Sequence, residues 1–265
     1  MENVPPPIPL PAELRRAPHV GMVSIVGRAN VGKSSLINRI LGEKVSIVSP
    51  IAQTTRSMVR GILTDQRGQL VFVDTPGVHR AHSSLGQVMN KVARASIEGV
   101  DVVLLVVDAS ETAREEDRGW ISRLLREEVP VVVVLNKMDA VKGETPADWR
   151  ALWKQVADEK GVTREPDWFE VSAQSGDGIP NLVQRLLEKM PAGPLLFPED
   201  MLSDYPRKLA IADTIREKLF GYLRDELPHA VAVWVESINE AEDGGWDIAA
   251  KIYIMKDSQK GIILG

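Results

Sequence analysis

Gly27-Arg-Ala-Asn-Val-Gly-Lys-Ser34 decides the fold. It fits G-x-x-x-x-G-K-S and lies between an apolar run, Val20–Val26, and a segment of helical periodicity, Lys33–Leu41, which is the strand–loop–helix setting this motif requires. The glycines let backbone N–H groups of residues 27–35 converge on phosphate oxygens, and the N-terminus of the following helix adds a favourable dipole. Lys33 has the reach for β- and γ-phosphates, and the Ser34 hydroxyl suits Mg²⁺. The stretch Gly27, Arg28, Ala29, Asn30, Val31, Gly32, Lys33, Ser34 and Ser35 is therefore the expected phosphate cradle.

Working outward, apolar strands alternate with helical patterns: Met58–Leu63, Leu70–Val73, Val102–Val107, Val131–Leu135 and Trp168–Val171 as strands, with helices over Leu85–Ile97, Glu116–Leu125, Ala147–Lys160 and Ile179–Met190. Buried apolar strands joined by helices predict an α/β fold with a mostly parallel sheet covered on both faces. The Asp65-Gln-Arg-Gly68 turn adds one antiparallel edge strand.

Three further motifs stand at strand ends. Asp74-Thr75-Pro76-Gly77 follows Leu70–Val73; its aspartate is placed to hold Mg²⁺ through water, and the Gly77 N–H to meet a γ-phosphate. Asn136-Lys137-Met138-Asp139 closes Val131–Leu135. A carboxylate there accepts two hydrogen bonds from the N1–H and 2-amino group of guanine, which adenine cannot supply, so GTP is selected over ATP. Ser172 and Ala173 follow the next strand and line the same pocket. In the irregular stretch Glu43–Ser57, Thr55 of Gln53-Thr-Thr-Arg56 is expected to complete the Mg²⁺ shell. Lys33, Thr55 and Gly77 are the candidate catalytic groups; Ser34, Thr55 and Asp74 are the candidate Mg²⁺ ligands.

Composition agrees with a globular chain: 265 residues, 44% hydrophobic and 26% charged. The absence of cysteine excludes disulfides, thiolate zinc sites and thiol nucleophiles. The longest apolar runs are strand-sized, too short to span a membrane as helices. Residues 198–265 hold 8 Lys/Arg against 13 Asp/Glu, so the whole formal charge of −5 sits there and 1–197 is neutral; a generic basic footprint for nucleic acid is lacking. Residues 1–18 read as a Pro-rich tail with no signal-peptide pattern. Residues 19–190 form the nucleotide-binding domain, 191–198 a Pro/Gly linker, and 199–265 a second unit. In that unit Lys208–Leu227 is helical, with Ile211, Ile215, Leu219 and Leu223 on one face, and two alternating strands flank an Asp-Gly-Gly turn. Glu115, Glu116, Asp117 and Arg118 read as a solvated helix start.

With these motifs in place the chain resembles the translation-factor-related GTPases of the TrmE-Era-EngA-like group, and within them the ribosome-assembly family, from about Val20 to Gly265. The markers are the phosphate loop, Gln53-Thr-Thr-Arg, Asp-Thr-Pro-Gly-Val-His, Asn-Lys-Met-Asp, Val-Ser-Ala, and Asp257-Ser-Gln-Lys-Gly-Ile-Ile-Leu-Gly265. The resemblance implies a P-loop GTPase domain followed by an α+β KH type II domain, and GTP hydrolysis coupled to binding of 16S rRNA near its 3′ end in 30S subunit assembly. In the family the last marker leads into the G-x-x-G loop that clamps single-stranded RNA. Gly265 matches the first glycine of that loop, so the KH unit is expected to be truncated here and RNA affinity to be weak. The resemblance also implies a cytoplasmic protein with peripheral contact at the inner face of the cell membrane, although no basic amphipathic helix supports that contact. A monomer is the default.

Two positions set the expected rate. Ras-type GTPases place a water-orienting glutamine after the glycine of the Asp74 motif; here it is Val78, which cannot align water by hydrogen bonding. Slow intrinsic turnover follows, and the alternative is a nucleotide-gated RNA- or ribosome-binding module with negligible hydrolysis. Asn30 resembles the asparagine that holds an activating K⁺ in some relatives.

Overall fold

The computed structural model describes residues 17–48, 58–75, 84–143, 145–223, 231–241, 244–256 and 259–264. Thr55, Pro76, Gly77 and Val78, together with residues 1–16, lie outside the described residues.

Six strands form the main sheet: β1 His19–Val26, β2 Val59–Asp65, β3 Gly68–Asp74, β4 Val102–Asp108, β5 Val131–Asn136 and β6 Asp167–Glu170. Their order is β2-β3-β1-β4-β5-β6. β1 pairs parallel with both β3 and β4, β5 pairs parallel with β4 and β6, and only β2 runs antiparallel, paired with β3 from Val59↔Asp74 to Asp65↔Gly68. The hairpin turn thus makes the one antiparallel edge that its residues predict.

Every residue of β4 and β5 is buried, because helices cover both faces. Alternation sends Leu104, Val106, Val132 and Val134 to the face packed by α1 (Lys33–Leu41) and α5 (Ile179–Lys189). Val103, Leu105, Val107, Val133 and Leu135 go to the face of α2 (Ser84–Ala95), α3 (Glu115–Leu124) and α4 (Thr145–Lys160), where Trp149 and Trp153 are fully enclosed. Period-two burial on two faces explains why these strands read as unbroken valine and leucine runs.

The C-terminal unit consists of α6 (Arg207–Tyr222) packed on the antiparallel hairpin β7 (Val231–Glu240) and β8 (Trp246–Ile254), followed by the short α7 (Lys260–Leu264). This small antiparallel sheet with its helix fits a KH-like domain. Two expectations are corrected. α6 ends at Tyr222, with Leu223 extended, and residues 224–227 of the expected helix lie outside the described residues. Its deepest stripe is Ala212, Arg216 and Phe220, with Ile211, Ile215 and Leu219 only half-buried. The helix has contacts on a second side: Asp213 accepts from the Tyr205 hydroxyl at 2.9 Å and pairs with Arg216, and Glu217 pairs with Lys44 of the main domain at 2.6 Å.

The Pro/Gly linker is sewn to the main sheet rather than left free. Val20 N–H donates to Pro191 O, and the buried Gln69 side chain donates to Phe197 O while accepting from the N–H groups of Leu196 and Phe197. Further along, Ile62 N–H donates to Leu202 O at 2.9 Å, and Arg60 pairs with Asp204 at 2.8 Å. The edge strand β2 therefore carries the chain that leads into α6.

Candidate nucleotide-binding site

Parallel strands bring their C-terminal ends to one edge, where ligand sites of α/β sheets collect. Here that edge carries the phosphate loop after β1, Asp74 ending β3, Asp108 ending β4, Asn136 ending β5 and Ser172 just beyond β6.

The loop turns through three residues of positive φ, Gly27 (145°), Asn30 (66°) and Gly32 (95°), the last capping the start of α1. A Cβ at Gly32 would come within 2.3 Å of Asn136 Nδ2. Asn136 has reason to be that close: its Nδ2 donates to Val31 O at 2.8 Å, and its Oδ1 accepts from Ala173 N–H at 3.0 Å. One buried amide thus joins the phosphate loop, the Asn-Lys-Met-Asp motif and the Ser-Ala segment. The Ser172 hydroxyl in turn donates to Asp139 Oδ1 at 2.5 Å, and Arg39 of α1 donates to the carbonyls of Ala173 and Gln174. Asp139 itself is exposed, and Lys137 and Met138 are half-buried beside it.

On the phosphate side the Lys33 ammonium donates to the carbonyls of Gly27 (3.2 Å) and Arg28 (2.9 Å). Burial lowers its pKa to about 8, against the opposing pull of Asp74. The Ser34 hydroxyl donates to Asp74 Oδ2 at 2.7 Å. Burial holds the Asp74 carboxyl above the usual range despite the Lys33 charge and the Ser34 and Ser46 hydroxyls. Its buried Oδ1 makes no hydrogen bond of good geometry among the described residues. An oxygen-only donor set with one unsatisfied carboxylate oxygen fits a small hard cation such as Mg²⁺. Thr75 turns inward, its hydroxyl donating to Ile25 O at 2.7 Å.

Two features escape a linear reading. Arg28 pairs with Asp117 (3.3 Å), in the first turn of α3, and with Glu111 (3.1 Å), ahead of that helix. Asp117, expected to be solvated, is buried, and its carboxyl is held above the usual range by that burial, against Arg114 N–H and Arg28. It satisfies both the helix N-terminus, accepting from Arg114 N–H, and the guanidinium of Arg28. Asp108 is the second, bound to Lys137 at 2.5 Å. No motif spacing marks either, because their partners are distant in sequence.

The buried Lys33 has a consequence for pH. Between pH about 8 and 10.5 the folded chain holds a neutral amine where an unfolded chain holds an ammonium. Rising pH through that window therefore relieves the desolvation of Lys33 and stabilises the unliganded fold. An anionic phosphate needs the ammonium, so nucleotide affinity is expected to move oppositely, falling by up to about tenfold per pH unit above pH about 8. Calorimetry with GDP across that range, alongside thermal melts of the free protein, checks both signs.

A strand–loop–helix phosphate cradle, a buried carboxylate beside its serine, and an Asn-Lys-Met-Asp turn on the same edge of the sheet define a P-loop GTPase. The comparisons agree. A family described as 50S ribosome-binding GTPase matches residues 22–137. GTPase Era of Geobacter metallireducens is 44% identical over 92% of this chain and 80% of its own length, and GTPase Era of Lacticaseibacillus paracasei is 43% identical over 93% and 80%. Among solved structures, Era in complex with MgGDPNP and nucleotides 1506–1542 of 16S ribosomal RNA superimposes with a TM-score of 0.83 at 36% identity, covering 94% of this chain and 83% of that one. An Aquifex aeolicus Era variant bound to GDP·AlF4⁻ gives 0.82 at 36% identity, covering 93% and 83%. The chain belongs to the Era family of GTPases, and GTP hydrolysis is the activity that membership carries.

Proposed function

We propose that the chain is a GTP-driven switch that binds 16S rRNA near its 3′ end and acts in 30S subunit assembly. The observation that carries the nucleotide part is the Asn136 amide, which clasps the phosphate loop through Val31 and the base-side segment through Ala173. Phosphate and base subsites are thereby held at a fixed separation before any ligand arrives.

In this reading the backbone N–H groups of residues 27–35 and the Lys33 ammonium hold the phosphates, Lys33 exchanging its carbonyl partners for phosphate oxygens. Ser34 and Asp74 hold Mg²⁺, Asp74 through water, with Thr55 as a further ligand. Bound there, the cation would supply positive charge against the transferring phosphoryl group. Gly77 N–H meets the γ-phosphate, next to Thr75, Pro76 and Val78. The Asp139 carboxylate, steadied by Ser172, accepts from guanine N1–H and the 2-amino group, flanked by Asn136, Lys137, Met138 and Ala173. Water is the nucleophile, and Val78 next to Gly77 has no group to orient it by hydrogen bonding, so intrinsic turnover is slow. Asn30, exposed in its left-handed turn, is the candidate K⁺ ligand, a cation there substituting electrostatically for an arginine finger.

The domain reading is a tail over 1–18, the GTPase domain over 19–190, a linker over 191–198 and a KH-like RNA-binding unit over 199–265. An Era relative crystallised with 16S nucleotides 1506–1542 supports the RNA assignment, and the hairpin and α6 supply the matching unit. The protein works as a cytoplasmic monomer touching the membrane only peripherally; no helix among the described residues is long and apolar enough to cross one.

Single-turnover GTP hydrolysis with and without small ribosomal subunits, run in K⁺ and in Na⁺, tests the whole. Stimulation by subunits and faster turnover in K⁺ are expected. Subunit binding without stimulation favours the nucleotide-gated module instead, and equal rates in the two salts remove Asn30 as a K⁺ ligand.

A further inference from the structure

We propose that Asp108, at the end of β4, is a positioning residue for guanine recognition, acting through its ion pair with Lys137. The inference rests on the reading of Asn136–Asp139 as the guanine-binding turn and names a residue outside that motif on which the turn depends.

Asp108 is nearly inaccessible, its side chain 4% exposed against 38% for its partner Lys137. Burying a carboxylate is unfavourable unless donors surround it, and donors do. Oδ1 accepts from the Ser110 hydroxyl (2.6 Å) and the Ser110 N–H (3.0 Å), and Oδ2 accepts from Lys137 Nζ at 2.5 Å. Burial alone pushes the carboxyl up, yet these bonds hold it below the usual range, so the anion is the resident form. The acceptor is therefore fixed, and the more exposed lysine is the partner it holds.

What Lys137 gains is a defined turn. It is one of two described non-glycine residues with positive φ (65°), a conformation that L side chains disfavour. Immediately after it the chain enters the 3-10 turn Met138–Ala140, closed by Ala140 N–H donating to Lys137 O at 2.9 Å. Asp139 is the middle residue of that turn. Asp108 pairs in register with Asn136, and Ala109 N–H donates to Asn136 O at 2.9 Å. The end of β4 thus braces the turn twice, by backbone at Asn136 and by side chain at Lys137. Removing the side-chain brace leaves a strained residue held by its backbone bonds alone, directly before the carboxylate that reads the base.

The consequence is specific to the base edge. Asp139 accepts two bonds from guanine but only one from hypoxanthine, which lacks the 2-amino group, so a displaced Asp139 loses its advantage for GDP over IDP. Asp108→Asn, nearly isosteric, tests this with GDP and IDP titrations, alone and combined with Lys137→Met. The expected result is a rise of about tenfold in the GDP dissociation constant, a smaller rise for IDP, and no additional loss when Asp108→Asn is added to Lys137→Met. Equal weakening of GDP and IDP, additive losses in the double variant, or unchanged GDP affinity would each overturn the proposal. Should Asp108→Asn not fold, Ser110→Ala, which removes a bond that aims the carboxylate at Lys137 and so weakens the ion pair, must still narrow the GDP-over-IDP preference, and failure to do so counts equally against it. Failure of the wild-type chain to bind GDP would instead sink the nucleotide reading itself.

Discussion

Asp139→Asn is expected to lower GDP affinity by about a thousandfold and to transfer preference to xanthosine diphosphate. The carboxylate accepts from N1–H and the 2-amino group; an amide offers one acceptor and opposes the 2-amino group with its own N–H₂. Two charge-assisted bonds are then lost or inverted, each worth about 1.5–3 kcal/mol. Xanthine carries a carbonyl at position 2 and so accepts from the same amide. The fold should be spared, because the side chain is exposed and the amide oxygen still accepts from the Ser172 hydroxyl. Parallel GDP and XDP titrations, with a thermal melt as control, check it. A variant that loses both ligands equally would mean that Asp139 shapes the pocket without reading the base.

The second large effect is expected at Gly32. Alanine there must adopt φ 95°, and its Cβ would lie 2.3 Å from Asn136 Nδ2. The amide must leave Val31 O or the loop must shift, and either change separates the phosphate and base subsites. Strain of about 1–2 kcal/mol and a lost buried hydrogen bond of about 1 kcal/mol together predict a fall of about a hundredfold in GDP affinity. Gly42→Ala supplies the control. Gly42 caps the other end of α1 at φ 71°, and a Cβ added there would have nothing within 4 Å, so the substitution is expected to lower stability by about 1 kcal/mol and leave GDP affinity unchanged. Equal affinity losses in the two variants would place the effect in α1 stability.

Much of this architecture is legible along the chain because its signals are local. The loop Gly27–Ser34 declares its own strand and helix, and the strands beside it are buried on both faces, so Val102–Val107 and Val131–Leu135 stand out as apolar runs. Motifs at strand ends converge because parallel strands share an edge. What stays hidden depends on partners far apart in sequence. Asp117 has the composition of a solvated helix start, yet Arg28, 89 residues earlier, makes it a buried counter-ion. The apolar stripe of α6 is displaced because Asp213 and Glu217 find partners on the helix flank. Prolines at 191–198 mark a break in periodicity, but the contact of Gln69 with Leu196 and Phe197 keeps that segment on the sheet. Asp108 is invisible for the same reason: its meaning lies in a lysine on the neighbouring strand end.

The central claim is that one edge of the sheet grips phosphates while Asp139 verifies the purine. Calorimetric titration of the intact chain with GDP and with ADP, in Mg²⁺ at neutral pH, tests it most directly. Tight, saturable GDP binding with no measurable heat from ADP is the predicted result; equal affinity for the two, or indifference to both, would contradict it.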